Sequence, residues 1–124
     1  MPKGSEQLTN ARKEEIINAC AKLYTTMNFK DITLKQISLE TTFTRTSIYN
    51  YFQTKEEIFL ALFQREYDLW TADIRQIFEE YEVMTVDEFA SALAHTLEKR
   101  ECLLKLLSMN HYDMESRSRL ENLV

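Results

Sequence analysis

Thr33–Ile58 reads TLKQISLETTFTRTSIYNYFQTKEEI, and its polar punctuation marks three helix starts. Thr33 followed by Gln36, and Thr54 followed by Glu57, have the capping-box form. In that form the hydroxyl accepts from a free first-turn N–H while the longer side chain reaches back. Between them Thr44 can cap a third helix, with Ser47 at the matching position and a polar, flexible Glu40-Thr41-Thr42 before it. The reading predicts a helix near Thr33–Glu40, a turn of about three residues, and a helix near Thr44–Asn50, which are helix-turn-helix dimensions.

Working outward, Ile16, Ile17, Cys20, Leu23, Tyr24 and Met27 recur at helical spacing and predict a first helix from about Asn10 to Met27, after a polar, frayed start. The expected inward residues of the next two helices are Leu34, Ile37, Phe43, Ile48 and Phe52. A long helix from Thr54 carries Ile58, Phe59, Leu62, Phe63, Tyr67, Trp70, Ile74, Ile77 and Phe78, an apolar face of about seven turns at 3.6 residues each. Thr85 with Glu88 opens a fifth helix reaching about Lys99, a sixth covers Arg100–Met109, and a seventh begins between Asp113 and Ser118. With one Gly, one Pro and no β-type alternation, the expected fold is all-α. It comprises a three-helix helix-turn-helix head over residues 1–53, then a connecting helix and part of a second helical domain over residues 54–124.

The chain of 124 residues is 44% hydrophobic and carries a net charge of −5. That total argues against nucleic acid, whose phosphates favour basic surfaces, but the distribution reverses the argument. Residues 1–55 hold eight Lys and Arg against five Asp and Glu, a charge of +3, whereas residues 56–124 hold seven against fifteen, −8. A basic head on an acidic body orients itself on a polyanion. Cys20 and Cys102 lack the density of a secreted disulfide scaffold and read as reduced thiols. No long apolar run and no signal-peptide core is present, so a cytoplasmic protein with no membrane partner is expected.

Across residues 10–63 the chain resembles the tetracycline-repressor-like (TetR) family of transcriptional regulators. The matching elements are Ile16, Ala19 and Ala21, then Asn28-Phe29, Ile32-Thr33 and Ile37, and finally Thr44, Arg45, Ile48-Tyr49, Tyr51-Phe52 and Lys55-Glu56-Glu57-Ile58. The run Tyr-x-Tyr-Phe-x-Thr-Lys-Glu-Glu is the most specific part. The resemblance implies a sequence-specific regulator, a ligand-responsive repressor that binds a palindromic operator in double-stranded DNA as a homodimer when full length. It also implies a small-molecule effector. Family members usually place glycine at the positions of Asn28 and Thr42. Asn tolerates positive φ and the β-branched Thr does not, so the turn between the two short helices is expected to differ locally.

Within that frame each exposed residue has a physical role. Arg45 has a planar fork that pairs bidentately with guanine or a phosphate, and Thr44, Thr46 and Ser47 offer short donors and acceptors beside it. Asn50 can read adenine or hold a phosphate. The hydroxyls of Tyr49 and Tyr51 suit phosphate oxygens, and the resemblance assigns Tyr49 and Lys55 to clamping the backbone. Thr33 offers its hydroxyl and the first amides of its helix to another phosphate.

The second half is less legible. The resemblance implies an effector pocket, for which Phe63, Tyr67, Trp70, Phe89, His95 and Met109 are candidates, with Phe78, Tyr81 and Met84 beside them. An aromatic or Met stripe at helical spacing is more often packing. His95, Cys102 and His111 make no recognised zinc spacing, and there is no Gly-rich phosphate loop and no nucleophile beside a base. No cofactor, metal or catalytic residue is expected, and the protein is not read as an enzyme. The competing class is a helical protein-interaction module that keeps the fold without reading DNA. The last helix ends on Leu120, Leu123 and Val124 with no cap or polar tail, which reads as a chain cut short or a reduced natural form.

Overall fold

The computed structural model describes residues 3–108, with side chains placed from residue 5. Among them there is no strand. The elements are α1 (Lys3–Tyr24), a 3-10 turn (Phe29–Asp31), α2 (Leu34–Leu39), α3 (Arg45–Ile48), α4 (Lys55–Glu80) and α5 (Val86–Glu98). Residues 101–108 form a further helix, α6. The helix expected after Asp113 lies outside the described residues. No helix among them is long and apolar enough to cross a membrane.

The chain divides into two compact units, Met1–Leu62 and Phe63–Val124. In the first, α1 buries Ile16, Ile17, Cys20 and Tyr24, one face at helical spacing. Ile37 from α2 and Ile48 from α3 are fully buried, and Phe52 nearly so. Leu34 and Phe43, expected beside them, are only half-buried. The missing volume comes from Phe29, Ile32, Ile58, Phe59 and Leu62. Phe59 meets Tyr24 edge-on at 5.2 Å and Phe29 at 4.8 Å between ring centroids. Each such aromatic pair contributes about 0.5–1.5 kcal/mol beyond its buried area. The first two turns of α4 therefore complete the core of the first unit.

Three expected boundaries move. α1 begins at Lys3 rather than near Asn10, because nothing between Ser5 and Tyr24 breaks a helix. It ends at Tyr24 rather than Met27, where Thr25 and Thr26 turn their hydroxyls back onto the carbonyls of Lys22 and Leu23. Such local bonds compete with the helical ladder, and here they accompany its end. α3 is a single turn, shorter than expected. After Ile48 the amides of Tyr49, Asn50 and Tyr51 bond three residues back, to Thr46, Ser47 and Ile48, so the backbone tightens into successive turns.

The second unit is held differently. Ile77, Leu103 and Leu106 are buried, and the Trp70 indole N–H donates to Thr96 Oγ1 at 3.0 Å. Arg100 donates to Asp73 Oδ2 through Nε at 2.8 Å and Nη2 at 2.7 Å, with both side chains mostly out of water. The broad apolar face expected on α4 is only partly covered, since Tyr67 is 43% and Phe78 64% exposed.

Candidate nucleic-acid interface

The helix starts read from sequence position this site. Thr33 caps α2: its Oγ1 accepts from Gln36 N–H at 3.1 Å, and Gln36 Oε1 accepts from Thr33 N–H at 2.9 Å, closing the capping box. The Thr33 hydroxyl also lies 3.2 Å from that Gln36 oxygen, so its nearest partners are within its own turn. Thr44 caps α3, accepting from Ser47 N–H at 3.1 Å, with the two hydroxyls 3.0 Å apart. At Thr54 the box is displaced by one residue: Thr54 Oγ1 accepts from Glu57 N–H, but Glu57 reaches back to the amide of Gln53, at 2.6 Å.

α3 presents one exposed edge. Thr44, Arg45 and Thr46 are exposed and Ser47 half-exposed, while Ile48, which closes the turn, is fully buried. Tyr49 and Asn50 continue the exposed edge through the turns that follow. Gln53 Nε2 donates to the Tyr49 carbonyl at 2.7 Å, which fixes that exit from α3. Tyr51 is half-buried against Phe43, ring centroids 6.1 Å apart, so its ring has a packing role as well as a hydroxyl to offer.

Lys55 stands apart from the other expected phosphate ligands. Its Nζ donates to the Phe29 carbonyl at 2.7 Å and lies 4.2 Å from the centroid of the Phe29 ring. The ammonium thus ties the start of α4 to the 3-10 turn before α2, with a cation–π contribution of about 0.5–2 kcal/mol. No sequence signal predicts this contact, because it joins residues far apart in the chain.

The turn between α2 and α3, expected to differ where Thr42 stands, needs no left-handed residue. No described residue has positive φ. Asn28 is extended, at φ −91° and ψ 160°, and precedes the 3-10 turn rather than ending α1. Thr42 keeps an ordinary backbone and is held from outside: Glu15 Oε2 on α1 accepts from its amide at 2.8 Å and its hydroxyl at 2.9 Å. Lys22 and Glu40 pair at 2.9 Å, and the Arg12 guanidinium lies 5.6 Å from the Phe43 ring centroid.

Taken to the boundary at Leu62, Glu56 and Glu57 join the first unit, whose charge becomes +1 against −6 for residues 63–124. The asymmetry keeps its sign but shrinks. Arg45 supplies the positive charge on α3 itself.

Among the described residues, the ring contacts of the expected effector residues fall into two groups. Phe63 stacks on Tyr67 at 6.2 Å and Tyr67 meets Trp70 edge-on at 6.3 Å, whereas Phe89 packs on Phe78 at 5.6 Å. His95 is exposed and lies 3.4 Å from Glu98. Met109 lies outside the described residues. Among those residues no group of His, Cys, Asp or Glu is arranged to hold a metal ion. Burial, followed by the charge of Glu66 and a hydrogen bond to it, pushes the Cys102 thiol up to about 11.

Comparison with known families matches the two halves separately. Residues 64–124 match the tetracyclin repressor-like, C-terminal domain, and residues 16–62 match the bacterial regulatory proteins, tetR family. No curated protein and no solved structure gives a significant match. With these two adjoining matches over a helix-turn-helix whose α3 offers Arg45 and its neighbours to solvent, the chain belongs to the tetR family of DNA-binding transcriptional regulators.

Proposed function

We propose that this regulator is a ligand-responsive repressor of the bacterial cytoplasm that binds a palindromic operator as a homodimer, without catalysis. The observation that carries the DNA contact is the exposure of α3, in which Thr44, Arg45 and Thr46 face solvent while the buried Ile48 anchors the short helix to the core. Arg45 reads a guanine edge or grips a phosphate, and Thr44, Thr46 and Ser47 supply short polar contacts beside it. Tyr49, Asn50 and Tyr51 hold the backbone, with Asn50 also within the chemistry of adenine readout. Thr33 faces a phosphate at the start of α2. Lys55 contributes mainly by fixing the start of α4, a role supported by its bond to the Phe29 carbonyl. In the second unit the aromatic chain Phe63, Tyr67 and Trp70 is the best start for an apolar effector.

Hydroxyl-radical footprinting on a selected duplex tests this reading. Two protected patches about 34–36 Å apart, one helical turn, are expected for two heads in adjacent major grooves. A single protected half-site would remove the dimer from the account. An effector must bind the free and DNA-bound states unequally, so a candidate that leaves operator affinity unchanged is not the effector.

A further inference from the structure

We infer that Glu15 is a positioning residue for DNA reading: it touches no base, but it sets the orientation of α3 by holding the amide and hydroxyl of Thr42. The inference rests on the DNA-reading role of α3. It starts from the length of that helix, which has only four residues. One helical turn is not stable alone and cannot fix its own direction, so its flanks must do so. On the C-terminal flank Ile48 and Phe52 are buried and supply the anchor. On the N-terminal flank the turn itself is polar and Thr42 is exposed.

Within that flank the Thr41 hydroxyl donates to the Ser38 carbonyl at 2.8 Å and accepts from the Phe43 amide at 3.1 Å, and from outside one face of α1 holds it. Arg12, Glu15, Ala19 and Lys22 follow each other at helical spacing, and three of them reach the turn in order: Arg12 to Phe43, Glu15 to Thr42, Lys22 to Glu40. Ala19 between them is buried and small, which lets the chain come close. The three contacts are unequal. The Lys22 side chain is 74% exposed, and an ion pair of that kind contributes little. Arg12 is exposed as well. Glu15 alone makes two charge-assisted hydrogen bonds, and one of them fixes the backbone rather than a movable side chain. Phe43, next in sequence, packs on Tyr51 beyond α3, so the held turn and the exit of α3 are linked.

Charge and position predict opposite results, which makes the test sharp. Removing a carboxylate from a DNA-binding unit strengthens binding to every duplex if only charge matters. If Glu15 positions α3, Glu15→Ala weakens the selected duplex roughly tenfold while binding to random-sequence duplex holds or tightens. The experiment titrates the full chain against the duplex the parent enriches from a random pool and against a scrambled duplex at the same salt, with thermal unfolding followed by circular dichroism. Thr42→Ser keeps both donors and should bind like the parent. Thr42→Val loses the hydroxyl at an exposed position, should show an intermediate loss, and serves as the reading if Glu15→Ala unfolds. The double variant should bind no worse than Glu15→Ala alone, since both changes remove one interaction. Parent-like or tighter selected-site binding by Glu15→Ala, or a fully additive double variant, overturns the inference and leaves the DNA reading standing. A parent that enriches no duplex overturns both.

Discussion

At the residue scale, the proposed function gives Arg45 and Lys55 different duties, reading for one and placement for the other. Arg45 is exposed on α3 with no structural duty visible in its surroundings. Arg45→Ala should leave thermal stability near that of the parent, weaken the selected duplex by about 1–3 kcal/mol and relax one base position. Lys55→Ala removes a carbonyl bond and a cation–π contact to Phe29. It should therefore lower stability by about 1–2 kcal/mol and weaken all duplexes alike. Chemical denaturation beside fluorescence titration distinguishes them, and a Lys55→Ala protein as stable as the parent would remove its structural role.

Cys102 gives a pH prediction. Its thiol is pushed up to about 11 from an ordinary value of 9.0, first by burial and then by Glu66. A raised acid pKa means that the folded state favours the protonated form. The stabilisation is fully present below pH 9 and is lost as pH climbs from 9 toward 11. Alkylation near pH 8 should be slower than for free cysteine by roughly one to two orders of magnitude, because the thiolate is the nucleophile. Glu66→Gln should speed it, and equal rates for both proteins would refute the assignment of Glu66.

At the element scale, capping decided what could be read in advance. Thr33, Thr44, Thr54 and Thr85 all accept from an amide three residues on, and all four starts are legible because a cap is a local code. Helix ends were less legible. α1 ends where Thr25 and Thr26 bond to carbonyls behind them, and α3 gives way to turns after Ile48, neither of which apolar spacing announces. Thr44→Ala should cost about 0.5–2 kcal/mol of stability, with a disproportionate loss of DNA affinity, since α3 has one turn to lose. Retained affinity beside lowered stability would show that α3 does not need its cap to present Arg45.

At the scale of the whole molecule, local patterns stop being informative. Ile16, Cys20, Ile37 and Ile48 were legible as core because burial follows helical spacing, but Tyr67 and Phe78 fit the same spacing and are exposed. Periodicity names a face and not what covers it. The contacts that fix the first unit join residues distant in sequence, Glu15 with Thr42 and Lys55 with Phe29. The second unit shows the same in Asp73 with Arg100. Asp73→Asn leaves Arg100 short of its counter-charge in a mostly buried place and should cost about 2–3 kcal/mol, read from denaturant unfolding. An unchanged midpoint would mean that Lys99, 3.5 Å from the same carboxylate, and solvent compensate in full.

The central claim, that the exposed edge of α3 reads DNA sequence, meets its most direct test in selection from a random duplex pool by the parent and by Arg45→Ala in parallel. The account predicts that the parent enriches one palindromic site, with affinity falling steeply as salt rises, and that Arg45→Ala enriches the same site with one position in each half degenerate. Enrichment of nothing by the parent, or of an unaltered site by Arg45→Ala, would contradict it.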